Sequence, residues 1–511
     1  MESVIVIGAG VGGIATAALL ARHGFDVTVV EKQERAGGRC NRLVKDGHTF
    51  DTGPTLFLFP RIFAQMFADL GERIEDHLDL RRVDPSYTLY FDDGSSLRLS
   101  SDLHVMQVQL EAIEPGSFGG FLRYLKEAQR NYKLGLAHLT ERSFHSIRDL
   151  GHLVARLPLF GTKLLTTHHD DVGRFFNDPR LKAAFTFCDM YLSLSPSEAP
   201  AIFSLLNYAE YADGVWYPMG GMYRLVEALT HIAEGNGARF EYGAAVQRIE
   251  VAGSEATGVT LADGRQMEAD IVVANADLPY VYGHLLPEDG AASRLEGKRY
   301  SCSAVTFYWG LDKPFPALGL HNLFAVDDYR RSLDRVLKDL SLPEEPTFYV
   351  QRPVAVDDSL APAGHDTLTV VVPVGHINPS APQDWSGIQA RARQAVLERL
   401  GQVGGGDLEA HIQVEVSYTP QDWLNRYNLV KGSTLGLAHN LLQMGYFRPR
   451  NRHARYRNLY FVGASTHPGS GLPIVLLSAR FATQRILQDT GASQPWSIVR
   501  SGAAQQSEGY A

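Results

Sequence analysis

Gly8, Gly10 and Gly13 stand in the pattern G-x-G-x-x-G, and a carboxylate, Glu31, lies eighteen residues after the last of them. Those residue types at that spacing suit the binding of a dinucleotide. The first glycine permits a tight turn, the second lets a pyrophosphate approach the backbone, and the third lets a helix pack closely on a strand. Free amides at the helix N-terminus then face the phosphate charge, and the carboxylate accepts hydrogen bonds from a ribose diol. The flanking residues supply the elements this chemistry needs. Ser3 to Ile7 is an apolar, β-branched run that predicts a strand, and Ile14 to Arg22 is a small-residue helix stopped by Gly24. Asp26 to Val30 is a second strand that brings Glu31, with Lys32 beside it, to its end.

The residues after Glu31 select the dinucleotide. A nicotinamide-binding unit usually continues into further helix and strand repeats, but here the chain runs through loops. These are Glu34-Arg35-Ala36-Gly37-Gly38-Arg39 and Phe50-Asp51-Thr52-Gly53-Pro54. Gly38, Gly53 and Pro54 suit a long cofactor lying across the strand ends, and Arg39 faces its phosphate or flavin. That favours FAD. A second strand-to-helix turn lies near the other end of the chain. The strand Asn458 to Gly463 leads into Ala464-Ser465-Thr466-His467-Pro468-Gly469-Ser470-Gly471-Leu472-Pro473 and a helix from about Ile474 to Leu487. The free amides there suit the anionic charge of a reduced flavin, which makes Gly463, Gly471 and Leu472 cofactor contacts.

The opening through Thr55 resembles the FAD-dependent amine oxidase and carotenoid desaturase superfamily. The segment from Gly463 to Pro473, Gly-Ala-Ser-Thr-His-Pro-Gly-x-Gly-x-Pro, resembles the C-terminal signature of bacterial-type phytoene desaturases, and the likeness extends from Val4 to about Leu487. The resemblance implies FAD-dependent introduction of double bonds into a long C40 or C30 isoprenoid. It implies that Val246 presents its backbone to the adenine, and that Arg148-Asp149 occupies the place proposed for an acid/base pair. Ser465, Leu472 and Val475 depart from residues common in the family, so the carotenoid itself is not inherited.

Composition bounds the rest. The chain has 511 residues, 45% of them hydrophobic, which suffices for a large core and two or three domains. A formal net charge of -9 argues against a nucleic-acid partner. The three cysteines, Cys40, Cys188 and Cys302, are odd in number and far apart, which fits buried thiols in a reducing compartment. Met1-Glu2 runs directly into the first strand and no run of eighteen apolar residues occurs, so a cytoplasmic protein with no membrane-spanning helix is expected.

The expected fold class is α/β. A Rossmann-like FAD domain, discontinuous over 1–100, 214–277 and 421–490, joins a mixed-sheet substrate domain at 278–420. A helical, membrane-facing region is inserted at 101–213, and 491–511 is a disordered tail. The hairpin signal at Asp92-Asp93-Gly94, between Tyr87 to Phe91 and Ser96 to Leu99, is assigned to the sheet of the cofactor domain.

The substrate class dictates the order of the chemistry. An isoprenoid hydrocarbon has no carbonyl to acidify its C–H bonds, so a base cannot act first and hydride leaves before the proton. The flavin carries the hydride step and a weak base suffices for the rest, with a quinone or oxygen as candidate electron acceptors between which the sequence does not choose. A surface ion pair is the bland reading of Arg148-Asp149. A hydrocarbon gains little on leaving lipid for an apolar tunnel, so the enzyme is expected to sit peripherally on a membrane. Candidate contacts are the stretch from Leu157 to Leu165 and the arginines Arg448, Arg450, Arg452, Arg455 and Arg457. The competing functions are a redox-neutral carotenoid isomerase, a flavin amine oxidase and a non-enzymatic prenyl-lipid escort.

Overall fold

The computed structural model describes residues 1–137, 142–144, 147–288 and 290–492. Its first layer is a parallel sheet in the order Leu459–Phe461, Ile271–Ala274, Ser3–Ile7, Asp26–Val30, Arg239–Glu241. Val4 lies opposite both Ile271 and Val27, so apolar β-branched residues meet across the centre. Side chains alternate between faces. Val4, Val6, Val27 and Val29 pack with the helices Val11–Arg22, Tyr223–Gly235 and Leu472–Thr490. Ile5, Ile7 and Val30 pack instead with Ile249, Val259 and Leu261 of an antiparallel three-stranded sheet. Burial on both faces explains why these strands read as continuous apolar runs.

A seven-stranded sheet forms the second body, in the order Ile412–Tyr418, Ser303–Leu311, Asp366–Val374, Phe348–Gln351, His321–Phe324, Tyr87–Tyr90, Ser96–Leu99. Its strands pair antiparallel except His321–Phe324 with Tyr87–Tyr90. The alternation of Ser303–Leu311 divides its function. Val305, Phe307 and Trp309 pack with Ile388, Ala392 and Val396 of the helix Trp385–Leu400, whereas Ala304, Thr306 and Tyr308 face a large cavity.

The hairpin around Asp92-Asp93-Gly94 forms as expected but joins this second sheet, not the cofactor sheet, through Asn322 opposite Thr88. Turn residues specify a hairpin locally, while its partner strand lies more than two hundred residues on. The stretch after Ser100 is helical: Leu103–Ile113, Ser117–Gly135, Ile147–Phe160, Pro179–Thr186 and Ser204–Ala212 are its longer helices. Phe121, Tyr124, Phe176 and Phe185 give it an aromatic core that packs beneath Tyr87 and Leu89 of the second sheet. Gly491 and Ala492 are the last described residues, so the tail expected from 491 lies almost wholly outside them.

Candidate functional site

The strands Ser3–Ile7, Asp26–Val30, Ile271–Ala274 and Leu459–Phe461 all run parallel, so the residues just beyond them, Gly8, Glu31, Asn275 and Gly463, collect at one edge. That edge opens into a cavity of about 660 Å³. In such sheets ligands bind beyond the carboxyl ends of the strands.

Close approach accounts for the glycines. A Cβ on Gly13 would stand 2.1 Å from the Gly8 carbonyl oxygen, and one on Gly38 would stand 3.1 Å from the Gly10 Cα. Gly8 takes φ +95° and donates its N–H to the Val30 carbonyl at 2.8 Å, tying the turn to the second strand. The Gly37 N–H donates to the Ala9 carbonyl at 2.8 Å, which brings the Gly37-Gly38 loop over the first turn. The backbone is thus left bare along one wall of the cavity, the surface a pyrophosphate needs.

Glu31 accepts hydrogen bonds from the Ala9 N–H at 2.7 Å and the Gln33 N–H at 2.9 Å, which fixes its carboxylate against the cavity. Burial pushes its pKa up, and those two amides pull it back. Lys32 donates to the Asn428 side chain at 2.9 Å and also lines the cavity. Ala244 N–H donates to the Glu31 carbonyl at 2.8 Å, so Val246 comes to the same end of the cavity as Glu31. Arg39 donates to the Thr434 carbonyl at 2.6 Å, with Asp277 opposing the loss of its charge on burial. Gly53 and Pro54 line the cavity next to Thr55.

Opposite stands the N-terminus of the helix Leu472–Thr490. Gly471 precedes it with φ +104°, Pro473 is in its first turn, and Gly471, Leu472 and Pro473 all face the cavity with Gly463. The turn is held from behind. Ser470 N–H donates to His439 Nε2 at 3.1 Å, and burial keeps that imidazole neutral, with Arg448 adding to the effect. Every cofactor residue expected from the sequence, from Gly8 to Leu472, lies on this cavity except Gly13, which serves it by letting helix Val11–Arg22 pack on the turn. The bare glycine wall, the cavity-facing Glu31 carboxylate and the opposed helix N-terminus fit FAD.

From this end the cavity continues into an apolar chamber. Leu136, Phe187, Met190, Phe203, Leu206 and Leu323 line it, with Tyr87 and Tyr191 among them. It lies between the second sheet and the helical region.

The sequence profile of flavin containing amine oxidoreductases matches residues 11–487. A zeta-carotene-forming phytoene desaturase of Myxococcus xanthus is 44% identical over 510 residues, covering 99% of this chain and 98% of the relative. The chain belongs to the phytoene desaturase family. A second member, a 4,4'-diapophytoene desaturase of Staphylococcus haemolyticus, is 33% identical and covers 95% of this chain and 99% of its own. A solved putrescine oxidase shares the fold at 16% identity, with a TM-score of 0.63 over 95% of this chain and 99% of that one. Membership in the phytoene desaturase family agrees with FAD as the cofactor and with an oxidoreductase activity.

Asp149 of the expected acid/base pair, in helix Ile147–Phe160, does not line the cavity. It sits 3.5 Å from Arg142 Nη2, and both side chains are partly exposed. The Arg142 carbonyl contacts His467 Nε2 at 2.8 Å, which binds this end of the helical region to the C-terminal turn. The side chain of Arg148 lies outside the described residues.

The arginine cluster requires a correction. Arg448 is only 2% exposed and spreads hydrogen bonds over the carbonyls of Leu437, Ala438, Gln443, Ala464 and Thr466, so it cannot meet a head group. Arg452 pairs with Asp489 at 3.2 Å and Arg457 with Glu255 at 2.6 Å, while Arg450 and Arg455 lie over Tyr446 and Tyr456.

Sequence reasoning passed over Asn275, Asp277 and the tyrosines of the chamber. Asn275 donates to the Gly8 carbonyl at 3.0 Å and was findable as the first polar residue after a buried strand. Tyr87 and Tyr191 carried no local signal, because 104 residues separate them. The three cysteines are buried and unpaired as expected, with burial raising each thiol.

Proposed function

We propose that the protein is an FAD-dependent desaturase that introduces double bonds into phytoene or a related C40 or C30 isoprenoid. The observation that carries this reading is the continuity of one cavity from the glycine-walled dinucleotide end into a chamber lined by Leu136, Phe203, Leu206 and Leu323. A hydrocarbon offers no polar handle, so such a chamber selects by shape and length. The bound flavin supplies the hydride acceptor. The protein's own residues do the rest. Gly8, Gly10 and Gly38 admit the pyrophosphate and Glu31 holds the ribose. Arg39 places a fixed positive charge at the cavity, and the Gly471–Leu472 amides favour negative charge opposite it. The apolar walls exclude water from the cationic stage of the substrate. The electron acceptor of this reading is a quinone or oxygen.

A peripheral membrane position belongs to the same proposal. Among the described residues no helix is long and apolar enough to cross a membrane. Leu159 at 46% exposure, Leu165 at 84%, Leu442 at 74% and Phe447 at 49% are exposed apolar side chains, and Phe447 meets Tyr446, which in turn contacts Phe144. Shallow insertion of such side chains suits uptake of a lipid-dissolved substrate. Product analysis in cells that accumulate only phytoene tests the activity: a product with fewer hydrogens is expected, and an isomer of equal mass would overturn it. Sedimentation with liposomes, weakened by Leu442→Asp with Phe447→Asp, tests the membrane position.

A further inference from the structure

Glu210 is a buried carboxylate in the wall behind the apolar chamber, on helix Ser204–Ala212 and 4% exposed. Among the described residues no basic side chain pairs with it. Its hydrogen-bond partners are two tyrosines that themselves line the chamber. Tyr87 Oη donates to Glu210 Oε1 at 3.2 Å, and Tyr191 Oη lies 3.1 Å from the same oxygen and 2.6 Å from Tyr87 Oη. The three groups come from a strand, the short 3-10 helix Phe187–Leu192 and an α-helix, and they form a continuous hydrogen-bonded path from cavity surface to buried carboxylate. An unpaired buried carboxylate is costly and would serve packing less well than an apolar residue. A weak acid facing a reaction chamber through hydroxyl groups is instead the arrangement of a proton acceptor.

We propose that Tyr87 and Tyr191 receive the proton released in desaturation and pass it to Glu210. The inference rests on the desaturase reading. In the balanced step, one substrate C–H bond breaks with its electron pair leaving as hydride to the oxidised flavin. The neighbouring C–H bond then breaks, its electron pair becomes the new π bond, and its proton goes to a tyrosine oxygen as that hydroxyl's own proton moves to the Glu210 carboxylate. Tyr87 and Tyr191 are the catalytic residues here, and Glu210 acts through them.

Burial raises the Glu210 pKa to about 8, the two tyrosine hydroxyls restraining the rise. The titratable groups facing this cluster are His321 and Tyr349 beside Tyr87, Cys188 and Tyr211 beside Glu210, and the Asp189–His168 pair beside Cys188. Burial pushes His321 down to about 3 and Cys188, Tyr211 and Tyr349 well up. The Asp189–His168 pair is common to wild type and to a Glu210 variant, so a comparison of the two isolates Glu210.

The test uses the FAD-loaded protein with phytoene in liposomes. Glu210→Gln keeps the shape and an acceptor oxygen but cannot take up a proton. It is expected to retain the flavin spectrum and to lose about 10²-fold in turnover. Wild-type turnover should rise with pH through about 8 as the carboxylate ionises, and the variant should lose that limb. In the absence of substrate, carboxylic-acid C=O infrared intensity should bleach over the same range in the wild type, and the wild-type-minus-Glu210→Gln difference, from which the common Asp51 signal cancels, should retain a bleaching band. Tyr87→Phe with Tyr191→Phe provides the same test if Glu210→Gln does not fold, with the infrared titration of Glu210 retained and turnover lost. Wild-type turnover and pH limb in these variants, or no titrating band in the wild-type-minus-Glu210→Gln difference, would overturn the relay alone. A wild-type protein that forms no dehydrogenated product would overturn the desaturase reading.

Discussion

Gly53 lies so close beneath Arg39 that a Cβ built on it would stand 1.9 Å from the Arg39 carbonyl oxygen. The loop that carries Arg39 to the cavity and the loop that carries Pro54 thus pack back to back with no room for a side chain between them.

Gly53→Ala should therefore expel the Arg39 loop from its position. Overpacking of this kind costs about 1–3 kcal/mol, and the displaced guanidinium no longer faces the cofactor. The purified variant is expected to lose most of its bound FAD, read from visible absorbance, while retaining far-ultraviolet circular dichroism. Full FAD occupancy would show that the two loops adjust independently.

Asp51 is 6% exposed and accepts the Met222 N–H at 2.9 Å, and burial raises its pKa to about 7 from an ordinary value near 4. The folded state thus binds a proton that the unfolded chain has already released. Its contribution to stability is full below about pH 4 and is lost as pH rises through about 7. Asp51→Asn carries no charge, so it should gain stability relative to wild type as pH is raised from 4 to 8. Urea midpoints of the two proteins across that range measure the difference, and parallel curves would contradict the assignment.

Arg448 and its exposed neighbours should separate cleanly. Burial lowers the Arg448 pKa to about 9, and its fan of hydrogen bonds satisfies the buried carbonyls of Leu437, Gln443, Ala464 and Thr466. Arg448→Met should cost at least about 3 kcal/mol, because each buried acceptor left unpaired costs about 1–3 kcal/mol. Arg450→Gln with Arg455→Gln should change the unfolding midpoint little and reduce binding to anionic vesicles only slightly. A large loss of vesicle binding in that double variant would restore the arginines to the membrane surface.

Asp149→Asn should leave FAD bound and lower stability by less than about 1 kcal/mol, as expected of a partly exposed pair with Arg142. Turnover within a few-fold of wild type is the expected result. A fall of about 10²–10³ would instead give Asp149 the electrostatic part that the family resemblance implies.

The sequence by itself determined the parts whose physics is local. A glycine that must adopt positive φ, a helix that must start beside phosphate and a strand that must be apolar on both faces leave signatures within a few residues. Gly8, Glu31, Gly463 and Gly471 were legible for that reason, as were FAD and the two sheets. The helical character of the stretch after Ser100 was legible from its periodicity. Tertiary structure alone decided which sheet received the Tyr87 hairpin, because edge pairing with His321–Phe324 depends on a strand remote in sequence. It also decided that Arg448 is a buried clamp while Arg450 and Arg455 stack on tyrosines, since five nearby arginines look alike until packing assigns each an environment. The meeting of Tyr87, Tyr191 and Glu210 was invisible for the same reason. A buried polar cluster is defined by desolvation and by distances between elements, and neither is written in the spacing of residues along the chain.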